Sequence, residues 1–302
     1  MCGLFGALGP KIEESKIRGL ALINRERGTD AVGFFDDRGK MCKMAKDPLK
    51  GILTDSMAGF IRKACNESWF VAGHTRYSTM GTGKDDSCAH PFRYGKTVGA
   101  HNGVVMAPRE YDVDSQYIFD LLNTYNQDYQ KALVDLDGYF ALTWLDKKTG
   151  DFYMLCHDNE ITIGLYGDTY YYSSDADHLE AVCGPTEVIT KLQSGDVIKF
   201  SFVDGKVVTE VMANFKSNTR AWKLTRAQRA SGYYDSDWAD WEGSAYKVKG
   251  TGTASAGNST ATVVGGTKSS QGDIFSKVSD YVDWEESWSQ YLSEERKVGV
   301  KA

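Results

Sequence analysis

From Gly3 to Phe202 the chain is divided into short apolar runs separated by turn-forming residues. That spacing favours many short strands over a few long helices. Residues 3–8 form the first apolar run. Residues 31–35 and 40–44 flank Asp37-Arg38-Gly39, a hairpin signal. Residues 69–72 and 97–100 read as buried strands. From Gly138 onward strands dominate, at 139–145, 151–156, 169–173 and 197–202, with turns such as 147–150 between them. Helical spacing occurs over 15–24, with Ile17, Leu20 and Ala21 on one face, and over 115–125, with Ile118, Leu121, Leu122 and Tyr125 inward. The pattern predicts an α/β or α+β layered domain over residues 1–214.

The 302 residues are 41% hydrophobic and 25% charged, enough for a sizeable core. A net charge of −6 argues against a nucleic-acid binder, which needs a basic face. The six cysteines are scattered without a CxxC pair or a disulfide framework, so a reducing, cytoplasmic compartment is expected. No secretory leader and no membrane span are expected. Past residue 214 the composition changes. Residues 215–248 mix arginine with Trp222, Trp238 and Trp241, residues 249–272 form a Gly/Ser/Thr-rich linker, and residues 273–302 form an acidic segment with amphipathic spacing.

The start, MCGLFG, places Cys2 behind the initiator methionine. Removal of Met1 would leave a thiol and an α-amine on one carbon. Their ordinary pKa values, about 8.5 and about 7.7–8.0, are close enough for the amine to take the thiol proton. The alternative is a small buried hydrophobe. Other segments carry similar pairs of readings. In 73–79, Arg76 offers a planar fork to a carboxylate, with Ser78 and Thr79 as further donors, or it forms a surface ion pair. In His101-Asn102-Gly103, the Asn102 amide and Gly103 N–H suit an oxyanion hole, or Asn-Gly marks a hairpin. Asp114 precedes a helix and either caps it or holds an ammonium. Arg27-Gly28-Thr29-Asp30 follows a helix, with Gly28 a candidate C-cap. Cys88 and His90 form a C-x-H pair, with His74 and His101 elsewhere; a metal site would need these to converge, and neither metal nor cofactor is expected.

Taken in order, these segments resemble the class II glutamine amidotransferase domain, the N-terminal-nucleophile (Ntn) hydrolase glutaminase. The resemblance rests on Cys2-Gly3, residues 27–30, 73–79 and 89–92, His101-Asn102-Gly103, Asp114-Ser115, and residues 136–142 and 192–196. It covers roughly residues 2–205. The arginine loop is closest to the amidophosphoribosyltransferase type, and residues 136–200 look more like the asparagine synthetase glutaminase.

The resemblance implies a four-layer αββα sandwich of the α+β class. It implies Cys2 as nucleophile, with its α-amine as base, and Asn102 and Gly103 as oxyanion hole. Arg76 would bind the glutamine α-carboxylate, Asp114 the α-ammonium, and Thr79 would add donors. Arg27 would shape the loop around Cys2. The implied reaction is hydrolysis of L-glutamine to glutamate and ammonia through a γ-glutamyl thioester. No phosphate loop or second catalytic domain is legible after residue 214, so the ammonia is expected to pass to a partner protein. Two alternatives stand beside this: a retired Ntn fold used for binding, and an amidase acting on another γ-glutamyl compound.

Overall fold

The computed structural model describes residues 2–186 and 188–218. Chain contacts divide the molecule into Met1–Tyr233 and Tyr234–Ala302, and the described residues all lie in the first unit. The Trp/Arg-rich extension past residue 218, the linker and the acidic terminal segment lie outside the described residues.

The chain begins with β1 (Gly3–Leu8) and α1 (Glu14–Ile23), then the hairpin β2 (Ala31–Asp36) and β3 (Met41–Met44). Helices α2 (Pro48–Ile52) and α3 (Asp55–Glu67) lead to β4 (Phe70–Arg76). Next come β5 (Phe92–Tyr94), β6 (Thr97–Val105), α4 (Asp114–Thr124) and α5 (Tyr129–Leu133). The second half holds β7 (Gly138–Asp146), β8 (Asp151–His157), β9 (Thr162–Tyr166), β10 (Thr169–Ser173) and α6 (Ala176–Cys183). It closes with β11 (Ile189–Lys191), β12 (Val197–Val203) and β13 (Lys206–Val211).

Two antiparallel sheets result, ordered β11-β9-β10-β1-β4-β2-β3 and β13-β12-β8-β7-β6-β5. Side-chain alternation decides the layering. On β1, Leu4 and Leu8 enter the core between the sheets, while Phe5 and Ala7 join the core shared with α1 and α3. On β7, Ala141 and Leu145 face the inter-sheet core, and Phe140, Leu142 and Trp144 face α4. Strands covered on both faces read as unbroken apolar runs, which is why little alternation shows in the sequence. Helices therefore flank both sheets, the α+β four-layer sandwich the resemblance implied. Among the described residues no helix is long and apolar enough to cross a membrane.

Several sequence expectations change. Residues 69–72 extend into a strand that runs to Arg76, and 97–100 into one that runs to Val105. The reading of Asn102-Gly103 as a hairpin turn is overturned, because both lie inside β6 paired with Ala141 and Phe140. Tyr125 is 44% exposed, and Phe119 takes the inward place on α4. Helix α3 was missed, although Met57, Ile61, Ala64 and Cys65 recur at helical spacing and are buried. Past Asn214 the chain stays attached: Phe215 packs on Phe140, and Asn218 N–H donates to the Val134 carbonyl at 2.8 Å.

Phe152 sits at the centre of the inter-sheet core, fully buried, with the rings of Phe35, Phe70, Tyr172 and Phe200 at centroid distances between 4.6 and 6.3 Å. Phe152→Ala is expected to lower the unfolding free energy by about 3–5 kcal/mol, read by urea denaturation. A loss below about 1 kcal/mol would contradict this packing.

Candidate active site

The register of β1 against β4 pairs Gly3 with Thr75 and Leu4 with His74, which sets Cys2 beside the end of β4. The Tyr77 N–H donates to Cys2 Sγ at 3.4 Å, and the thiol reaches the Tyr77 carbonyl at 3.5 Å. Arg27 Nε donates to the Cys2 carbonyl at 2.9 Å, and Arg27 Nη1 lies 3.6 Å from the Asp175 carboxylate. Gly28 is needed for close approach rather than for a left-handed C-cap. Its φ is not positive, and a Cβ there would fall 2.3 Å from the Arg76 carbonyl carbon.

Cys2 opens onto a cleft of about 270 Å³, its open mouth included, whose wall also holds Arg76, Thr79, Gly103 and Asp114. Arg76 is 4% exposed; Nη1 donates to the Thr82 carbonyl at 2.8 Å and Nη2 to that of Met80. Each terminal nitrogen carries a second N–H beyond these bonds. Asp114 is the first residue of α4, with Val113 at the N-cap, so it is not the helix cap that its place before a helix suggests. Its Oδ2 accepts from Val105 N–H at 3.0 Å and its Oδ1 from Ser115 N–H at 2.9 Å.

Gly103 has φ +149°, and a Cβ there would meet the Tyr139 carbonyl oxygen at 2.1 Å. Only glycine lets β6 press against β7 at this point. Asn102 is not among the residues lining the cleft. It is 1% exposed, with Nδ2 3.4 Å from Ser174 Oγ, and its carbonyl accepts from Asn159 Nδ2 at 2.8 Å. Arg27 likewise stays outside the cleft and touches Cys2 through the backbone.

Three buried histidines adjoin this wall, and two of them, His90 and His101, line the cleft. His90 Nε2 and His101 Nδ1 share Ser115 Oγ, at 2.8 and 3.0 Å, and the rings of His74 and His90 lie 3.9 Å apart. His74 Nε2 donates to the His101 carbonyl at 3.0 Å, which fixes its tautomer because a carbonyl only accepts. Burial lowers all three pKa values: His74 falls to about 3, His90 well below its ordinary value, and His101 in the same direction. Burial pushes the Cys2 thiol up, while the Tyr77 N–H, the terminal ammonium and Arg76 oppose it. Among the described residues no cluster has the makings of a metal site. Sequence reasoning missed Ser174 and Asn159, which hold Asn102, and Asp175, which pairs with Arg27. Only the Asp175 side chain, capping α6 at the Asp177 N–H, left a legible trace.

The sequence matches no family model and no curated protein. Among solved structures, glutamine phosphoribosylpyrophosphate amidotransferase from B. subtilis, complexed with ADP and GMP, is 19% identical with a TM-score of 0.53, over 70% of this chain and 49% of that one. An allosteric regulatory enzyme of purine biosynthesis is 20% identical with a TM-score of 0.53, over 71% of this chain and 50% of that one. The chain thus spans about half the length of these two proteins. Its fold is that of the class II glutamine amidotransferase domain.

The neutral histidines set a pH dependence. In the unfolded chain they protonate near the ordinary value of 6.5, whereas burial holds the folded values lower, that of His74 at about 3. Their contribution is therefore complete above about pH 6.5 and is lost as pH falls, by up to about 1.4 kcal/mol per pH unit for each histidine. Urea unfolding between about pH 7.5 and about pH 5 is expected to show this decline. A flat curve over that window would contradict neutral, buried imidazoles.

Proposed function

We propose that the chain is a glutaminase of the class II amidotransferase type, which hydrolyses L-glutamine to glutamate and ammonia. The observation that carries this reading is the gathering of a thiol, a guanidinium and a carboxylate in one cleft: Cys2, Arg76 and Asp114. The spare N–H groups of Arg76 take the α-carboxylate, and Asp114 takes the α-ammonium, selecting a free α-amino acid. Thr79 on the same wall adds a donor.

With Met1 removed, the Cys2 α-amine takes the thiol proton, and the sulfur attacks the side-chain amide carbon. The oxygen gains negative charge facing the Gly103 N–H and the Asn102 amide. Collapse breaks the C–N bond, and the ammonium returns its proton to the departing ammonia. Water, deprotonated by the same amine, then cleaves the thioester to glutamate and restores the thiol. The histidines are poor candidates for the base, because burial leaves them little affinity for a proton. The ammonia passes to an acceptor on a partner protein. What suggests an acceptor at all is the likeness to an amidotransferase named for phosphoribosylpyrophosphate as well as glutamine.

The test is intact mass after exposure to a diazoketone analogue of glutamine. One adduct on Cys2 with loss of the Met1 mass is expected, and Cys2→Ala is expected to abolish both labelling and ammonia release with its unfolding midpoint unchanged. Ammonia release by Cys2→Ala at the wild-type rate would sink the mechanism. Asn102→Ala is expected to lower kcat by about 10²–10³-fold with little change in KM, since its partner oxygen is charged only in the transition state. An effect on KM alone would remove Asn102 from that role.

A further inference from the structure

The corner between β10 and α6 reaches the Cys2 end of β1 twice. Asp175 pairs with Arg27, which holds the Cys2 carbonyl. Ser174, 8% exposed, binds β1 directly: its N–H donates to the Leu4 carbonyl at 2.8 Å, and its Oγ accepts from the Leu4 N–H at 2.9 Å. The same Oγ is the hydrogen-bond partner of Asn102 Nδ2, at 3.4 Å. One hydroxyl oxygen therefore joins the strand that carries the thiol, in the first sheet, to the amide of β6, in the second.

We infer that Ser174 is a positioning residue for the Asn102 amide, an inference that rests on the proposed glutaminase reading. An amide nitrogen has two N–H groups. Ser174 takes one, which fixes the rotation of the side chain about its last bond and leaves the other N–H for an oxyanion. Asn159 secures the backbone of the same residue by donating to the Asn102 carbonyl at 2.8 Å. With backbone and side chain both held, the amide is oriented before substrate arrives, the condition under which such donors are most effective. Without Ser174 Oγ the nitrogen loses this partner, and part of the transition-state stabilisation is lost to reorientation. The ground state has no oxyanion, so substrate binding is unaffected.

The experiment is a double-mutant cycle on glutamine hydrolysis. Ser174→Ala is expected to lower kcat about tenfold with KM unchanged, the loss of one neutral hydrogen bond acting in the transition state. In an Asn102→Ala background the same substitution is expected to change kcat by less than about twofold, because the group it positions is gone. Ser174→Thr, which keeps the hydroxyl, is expected to recover most of the rate. Equal fold-losses in both backgrounds would overturn the inference, since a residue that merely holds the fold lowers both rates alike. If Ser174→Ala does not fold, the cycle is run with Ser174→Cys, whose sulfur fills the space but accepts hydrogen bonds weakly. A wild-type chain that neither hydrolyses glutamine nor takes up the diazoketone would overturn the glutaminase reading itself. An active wild type with multiplicative losses overturns only the role of Ser174.

Discussion

Strand β1 is hydrogen-bonded along both edges, to β10 and β4, and buried on both faces. A one-residue slip would exchange Leu4 and Leu8 with Phe5 and Ala7, sending each set into the wrong core. The register is therefore fixed by packing on two sides at once, and the position of Cys2 follows from it. The neighbouring strands inherit the same precision. β4 brings Arg76 and Tyr77 alongside the thiol, and the end of β10 brings Ser174 against Leu4. The site is thus a consequence of how the first sheet must pair.

The second sheet supplies its part by a different constraint. β6 presses so closely on β7 that position 103 has no room for a side chain. The glycine that makes this approach possible also lines the cleft. Asn102, one residue earlier, is held by Ser174 through its amide and by Asn159 through its carbonyl. The two sheets meet at the site through hydrogen bonds, and elsewhere through an apolar core centred on Phe152.

Much of this was legible in the sequence wherever the signal was local and repeated. The strands at 3–8, 31–35, 139–145 and 151–156, and the helix at 15–24, are elements whose apolar runs and flanking turns agree with their final burial. The Asn-Gly pair misled because turn propensity is a local statement, while the conformation of Gly103 is set by β7 across the sheet. Helix α3 was hidden by Gly59, a poor helix former, in a segment of evenly mixed polar and apolar residues. The residues resembling a known site do gather: Cys2, Arg76, Thr79, Gly103 and Asp114 share one cleft. Ser174 and Asn159 were invisible, since they act through bonds spanning 72 and 57 residues and belong to no short motif.

The partners of the charged groups shape what the cleft favours. Arg76 is bonded to two carbonyls and Asp114 to two backbone N–H groups, all neutral dipoles. Dipoles steady a buried charged group without neutralising it, which leaves both side chains suited to a ligand of opposite charge. The proposed substrate, neutral as a whole but carrying both charges, would answer both groups at once, whereas a singly charged ligand would leave one unanswered. Burial acts on the thiol in the opposite sense, disfavouring its anion. The proposed mechanism resolves this by deprotonating the sulfur only at the moment of attack. In that proposal a base on the same carbon would do so without placing another permanent charge in the cleft, as a buried, neutral histidine would not.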